Sequence, residues 1–222
     1  MAPKFYQNWA WHYPDALEWM QVAKQKCLAT GDMSLSIGAH DKPIITLGRH
    51  ASNDEILDSP YLAKNGVQVY HVDRGGGATF HGPGQIVLYP VVDLRRLHMS
   101  IPEFTNMLEQ LMIDTLLAFG IEGNRLHNEP GVFVKDAKIG SIGLRVSSGV
   151  GARSILTHGL SLNVSNTLDV YKRFRSCRKD DALVTSMAKE IGSGVDVETV
   201  GAELLKKTLL LLNARAGNRE AF

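Results

Sequence analysis

The order of apolar and polar positions divides the chain into helical and extended stretches. Leu17, Met20, Ala23 or Lys24, Cys27 and Leu28 recur at three- and four-residue spacing between Pro14-Asp15 and Gly31, which predicts an amphipathic helix with a proline start and a glycine stop. Met33, Leu35 and Ile37 alternate as a strand, residues 38–43 form a loop and 44–47 a second strand, together read as a hairpin. A polar segment with short helical turns over 54–57 and 60–64 leads to the alternating run Val67, Val69, His71, and the unbroken apolar run 86–92 predicts a central strand buried on both faces. Ser100-Ile101-Pro102-Glu103 combines a capping-box pattern with an early proline, so Phe104, Leu108, Leu111, Met112, Thr115 and Leu116 mark the apolar face of a helix that ends at Gly120. Strands return over 131–134, 138–146 and 158–164, with turns at Asp136-Ala137 and over 147–151. A short turn or helix over 168–174 and a final helix over 195–213 follow, with a frayed tail after Arg215. The reading is an α/β (α+β) chain, a mixed, largely antiparallel sheet flanked by helices, in one domain over residues 1–222.

Between the runs that begin at Val67 and Ile86 lies Arg74-Gly75-Gly76-Gly77-Ala78-Thr79-Phe80-His81-Gly82-Pro83-Gly84-Gln85, read as a loop joining two strands. Each glycine costs backbone entropy and supplies no side chain to pack, so three in a row point to close approach by a ligand or another backbone. An irregular surface loop turning at Pro83-Gly84 is the bland alternative, and it gives no purpose to Arg74 and His81 at the ends of the stretch. Glycines at 140, 143 and 159 raise the same question within strands: the sheet bends there, or something lies against it.

Composition narrows the class. The 222 residues suffice for one good core, and 44% apolar and 21% charged content is that of an ordinary soluble domain. No apolar run spans a bilayer, and the N-terminal residues hold neither a continuous apolar region nor a cleavage site, so a cytoplasmic location is expected. A net charge of +1 argues against a general nucleic-acid binder. Phosphate-loop, dinucleotide, Cys-x-x-Cys and His-Glu-x-x-His motifs are absent, and the eight histidines contain no i, i+4 pair. No cofactor and no metal is expected.

Two residues could carry chemistry. Cys177 sits in Arg173-Phe174-Arg175-Ser176-Cys177-Arg178-Lys179, where nearby cations would stabilise a thiolate; a cysteine without a role in a solvated basic loop fits the same residues. Lys138 heads a glycine-bearing strand and is either solvated or partly buried and able to exchange protons. Cys27, on the apolar stripe of its helix, reads as a small buried hydrophobe.

The glycine-rich block, Gly131-Val132-Phe133-Val134 with Lys138-Ile139-Gly140-Ser141-Ile142-Gly143-Leu144-Arg145, and His158-Gly159-Leu160-Ser161-Leu162-Asn163-Val164 resemble, in order and spacing, the signature blocks of lipoyl (octanoyl) transferases, with a compatible Thr46-Leu47-Gly48-Arg49 upstream. The resemblance implies the biotin/lipoate-ligase fold and an acyltransferase. Such an enzyme moves an octanoyl group from an acyl carrier protein thioester to its own cysteine, then to a lysine of the lipoyl domain of a 2-oxoacid dehydrogenase or of the glycine-cleavage H protein. Carried over by position, the nucleophile is Cys177 and the catalytic lysine Lys138. Acyl-chain contacts fall on Arg74, Gly75, Gly76, Gly77, Ala78, Thr79, Phe80 and His81, on Ser141, Ile142 and Gly143, and on Gly159, Leu160 and Ser161. A thioester donor is already activated, which suits a chain without a nucleotide motif.

The family usually places proline before the nucleophile, glycine after it and an aliphatic residue three before; here these are Ser176, Arg178 and Phe174. Proline would fix the entering backbone, and Arg178-Lys179 offers a contact for an acidic carrier protein. Competing readings are an amidotransferase moving octanoyl or lipoyl groups between carrier proteins, an ATP-dependent lipoate ligase, and a non-catalytic acyl-binding module.

Overall fold

The computed structural model describes residues 3–148, 153–176, 183–192 and 194–217. Its main sheet has the order β1-β2-β6-β10-β9-β8-β7. These strands are β1 (Lys4–Trp11), β2 (Ser34–His40), β6 (Gln85–Asp93), β7 (Asn124–Leu126), β8 (Glu129–Val134), β9 (Ala137–Ser148) and β10 (Ser154–Asn163). Among the described residues of this sheet, only β1 and β2 run parallel and every other neighbouring pair is antiparallel. A second, three-stranded sheet has the order β4-β3-β5, with β3 (Ile44–Leu47) between β4 (Gln68–His71) and β5 (Ala78–His81). The mixed, largely antiparallel sheet flanked by helices is therefore what the chain forms.

Helix α1 (Tyr13–Thr30) buries Ala16, Met20, Ala23 and Cys27 along one stripe, and Gly31 ends it in the left-handed conformation at φ 79°, its N–H donating to the Cys27 carbonyl. Helix α3 (Ile101–Ala118) carries the complete capping box: Glu103 N–H donates to Ser100 Oγ, and Glu103 Oε2 accepts from Ser100 N–H at 2.7 Å. α1 packs on β2, β6 and β10, while α3 and α5 (Val197–Gly217) pack on each other and on the sheet. All nine residues of β6 are buried, as its unbroken apolar run requires of a strand covered on both faces. A short α2 (Ser59–Lys64) and a one-turn helix at Asn53–Glu55 lie where helical turns were read, and another covers Asp169–Arg173.

Several expectations are corrected. Residues 33–47 are not a hairpin: β2 is flanked by β1 and β6, whereas β3 belongs to the second sheet. A short loop between two apolar runs gives a local hairpin signal, but here each strand is claimed by partners distant in sequence. The glycine-rich stretch is not all loop, since β5 closes the small sheet against β3 with Ile44 opposite His81. β1 has no strand signal in the sequence, because only Trp11 of its eight residues is fully buried and the edge strand shows no clean alternation. α4 (Met187–Ile191) is a helix that the sequence pattern does not predict, and the final helix runs to Gly217 rather than 213. Part of the 147–151 turn and most of the tail after Arg215 lie outside the described residues.

Candidate functional site

Where the two sheets meet, strands β5, β9 and β10 enclose a cavity of about 320 Å³, at the small end of the range for ligand pockets. The glycine-rich segment lines it through Arg74, Gly76, Gly77, Ala78, Thr79 and His81, β9 through Lys138, Ser141, Ile142 and Gly143, and β10 through Gly159, Leu160 and Ser161. Two expected contacts do not line it. Alternation along β5 turns Thr79 and His81 toward the cavity and Phe80 the other way, into a separate core with Ile45, Leu47 and Phe174. Gly75 is held behind the wall, its N–H donating to the Leu144 carbonyl at 2.8 Å.

The lining also contains Tyr13, Tyr89 and His158, which sequence reasoning did not single out as site residues. Tyr13 is the first residue of a helix and Tyr89 lies in a uniformly apolar run, so neither carries a local signal. His158 stands out only in the structure, where its backbone is left-handed, at φ 60°. β6 and β10 pair through Leu160↔Leu88 and Leu156↔Val92 but not between, where Pro90 has no N–H to give. In that gap a Cβ on Gly159 would lie 2.0 Å from the Leu88 carbonyl oxygen, so only glycine fits.

Arg74 acts chiefly as a strut. It is buried, Nη2 donates to the Thr46 carbonyl and hydroxyl at 2.7 Å each, and Nη1 donates to the Gly75 carbonyl at 2.9 Å. Its stem runs over Gly143, where a Cβ would come within 2.8 Å of Cδ. The Ala78 N–H donates to Glu55 Oε2 at 2.9 Å and is thereby committed.

Lys138 lies at the start of β9 in a space kept open by Gly131, whose φ is 126° and where a Cβ would lie 2.7 Å from Lys138 Cε. Its ammonium sits 5.3 Å from the centre of the Phe133 ring. Cys177, with Arg178 and Lys179, lies outside the described residues, but the flanks of that segment are placed. Ser176 bridges Ala78 in β5, while beyond the segment the Leu183 carbonyl accepts from Lys138 N–H at 2.8 Å and Thr185 N–H donates to the Lys138 carbonyl at 2.9 Å. Both ends are thus anchored at residues of the cavity wall. The basic cluster is less free than its sequence suggested, since Lys172 pairs with Asp169 at 2.9 Å and Arg173 with Asp58 at 3.1 Å, the latter also stacking on Tyr61. The other cysteine, Cys27, is fully buried, and burial pushes its thiol pKa up to about 11.

Three buried histidines surround the site. Burial, reinforced by neighbouring His40, pushes the His81 pKa down to about 3, and burial also lowers His40 and His158. Their folded pKa values lie below the unfolded value of about 6.5, so as pH falls the unfolded chain takes up protons first and stability is lost. The urea midpoint is therefore expected to fall from pH 6.5 toward pH 4, each histidine contributing up to about 1.4 kcal/mol per pH unit until its own folded pKa is reached. A midpoint that holds steady or rises over that interval would contradict the buried neutral assignment.

The sequence profile of the family described as lipoyl protein ligase A/B catalytic domain matches residues 12–209. An octanoyltransferase of Xylella fastidiosa (strain 9a5c) is 37% identical over 177 residues, covering 80% of this chain and 72% of the relative. An octanoyltransferase of Azoarcus sp. (strain BH72) is 38% identical over 170 residues, covering 77% and 70%. Among solved structures, a chain of the bipartite lipoate protein ligase system with its E2 lipoyl domain from Thermoplasma acidophilum superposes with a TM-score of 0.71 at 17% identity, covering 98% of this chain and 91% of that one. The last likeness establishes the fold, the profile and the closer relatives establish the lineage, and the chain belongs to the lipoyl protein ligase A/B catalytic-domain family.

Proposed function

We propose that the protein is an octanoyltransferase that moves an octanoyl group from an acyl carrier protein thioester through Cys177 to a lysine of a lipoyl domain, in 2-oxoacid dehydrogenases or the glycine-cleavage H protein. The observation that carries this reading is the anchoring of both flanks of the Cys177 segment to Ala78 and Lys138, on the wall of a cavity whose lining includes glycines and the apolar side chains of Ile142 and Leu160. Sequence identity of 37–38% to octanoyltransferases supports the same chemistry.

The reaction divides into two acyl transfers. In the first, the Cys177 thiolate attacks the donor thioester carbonyl, a new C–S bond forms, the bond to the carrier sulfur breaks, and the carrier sulfur leaves as a thiol by taking the proton of the Lys138 ammonium. In the second, the neutral amine of the acceptor lysine attacks the acyl-enzyme, the C–N bond forms and Cys177 leaves as thiolate. Lys138 has two duties in this scheme: its ammonium stabilises the thiolate, and its amine relays the proton that the incoming nucleophile must lose. The cavity holds the apolar chain out of water beneath the reacting carbonyl. The Ala78 N–H, already bonded to Glu55, is not available to the oxyanion.

Incubation of the protein with octanoyl-acyl carrier protein and an apo lipoyl domain, without ATP, is expected to yield the octanoylated domain. Transfer that requires ATP and free octanoate would favour a ligase instead. Transfer only from octanoyl-H protein would favour an amidotransferase.

A further inference from the structure

The backbone fixes the polarity of a buried hydrogen-bond chain that links Lys138 to His81. The Thr185 carbonyl can only accept, so Asn163 Nδ2 donates to it at 3.0 Å and Asn163 Oδ1 turns toward Gln85. The Phe80 carbonyl likewise only accepts, so Gln85 Nε2 serves it at 3.1 Å and Asn163 Oδ1 at 2.9 Å, leaving Gln85 Oε1 as an acceptor. That oxygen is 2.8 Å from His81 Nδ1, which places the imidazole proton on Nδ1 and a bare lone pair on Nε2. Nε2 has no hydrogen-bond partner among the described residues, and the ring lines the cavity. At the other end of the chain, Thr185 is bonded through its own N–H to the Lys138 carbonyl at 2.9 Å.

A second relay has the same sense. The Trp11 carbonyl accepts from His40 Nδ1 at 2.9 Å, so His40 Nε2 accepts from the Tyr89 hydroxyl at 2.9 Å, and the Tyr89 oxygen keeps its lone pairs. This wall of the cavity therefore presents acceptors. A thiolate or a carbonyl oxygen gains nothing from such a wall, being an acceptor itself, whereas a neutral amine brings N–H groups that match it.

We propose that His81 Nε2 receives a hydrogen bond from the neutral amine of the acceptor lysine and so holds the amine lone pair toward the acyl carbonyl carbon in the second half-reaction. This assignment rests on the octanoyl-transfer reading given above. The C–N bond forms as the C–S bond to Cys177 breaks, the electron pair leaves on sulfur, and the proton shed by the amine is taken up by the Lys138 amine, which restores the ammonium beside the thiolate. His81 neither gains nor loses a proton.

The two half-reactions separate the roles. Acyl-enzyme formation is followed by intact mass after mixing with octanoyl-acyl carrier protein, and transfer is followed from the preloaded enzyme to an apo lipoyl domain. In His81→Asn the side-chain amide still donates to Gln85 and only the ε acceptor is lost. That variant is expected to slow transfer at least about tenfold more than it slows loading, the effect of one hydrogen bond lost in the second transition state alone. His81→Gln, whose amide oxygen reaches the ε position, is expected to retain more transfer than the asparagine variant. Should His81→Asn fail to fold, the double variant His81→Leu with Gln85→Leu, which leaves no unpaired Gln85 oxygen, is read for the same split. Equal slowing of both steps, or slowing of loading alone, would overturn the assignment. Failure of the wild type to load would count against the octanoyl-transfer reading and is observed in its own arm.

Discussion

Replacing Lys138 with methionine is expected to lower octanoyl transfer by about 10²- to 10⁴-fold, the usual range for loss of a positioned acid–base group. Methionine keeps an unbranched apolar stem in the space that Gly131 leaves open beside Phe133, so packing changes little. The backbone of residue 138 stays pinned, because its N–H and carbonyl are bonded to residues 183 and 185 whatever side chain it carries. What disappears is the cation proposed to favour the Cys177 thiolate. Alkylation of Cys177 by iodoacetamide should therefore require higher pH in Lys138→Met than in the wild type. An unshifted alkylation profile together with an unchanged transfer rate would remove Lys138 from the proposed chemistry.

The largest expected effect on stability comes from one methyl group on Gly159. A Cβ there would lie 2.0 Å from the Leu88 carbonyl oxygen and 2.6 Å from Pro90 Cδ, both in β6, the strand buried on both faces. Neither obstacle is the far end of a flexible side chain, so β6 and β10 must separate. Gly159→Ala is expected to cost about 3 kcal/mol or more, above the usual cost of overpacking because backbone must move. The urea midpoints of Gly159→Ala and the wild type measure the difference. A Gly159→Ala protein as stable as the wild type would mean that the close approach of β6 and β10 is not a constraint on the fold.

Local chemistry made some of this molecule readable from its residues alone. The Ser100–Glu103 box specifies its helix start through two reciprocal hydrogen bonds, and a run as uniformly apolar as 86–92 has no stable place except a strand covered on both sides. Pairing decided elsewhere is not readable in that way. Nothing between Gly38 and Pro43 says that the chain leaves one sheet for another, because the partners of β2 and β3 come from residues 4–11 and 68–81. The same holds within the site. Gly143 and Gly159 announce close approach but not by what: Arg74 lies over one and the Leu88 carbonyl over the other. Phe80, quoted with the rest of the glycine-rich block, faces away from the cavity, because a strand inside the block alternates its sides. Tyr13 and Tyr89 reach the cavity from a helix start and a central strand, where tyrosine is unremarked by any pattern.

The central claim is that Cys177 carries the acyl group between the two proteins. Intact mass spectrometry of the protein after mixing with octanoyl-acyl carrier protein, followed by peptide mapping, tests it most directly. One octanoyl adduct is expected, located on Cys177, absent from Cys177→Ser and discharged by an apo lipoyl domain. No adduct on the wild type, or an adduct that survives Cys177→Ser, would contradict the account.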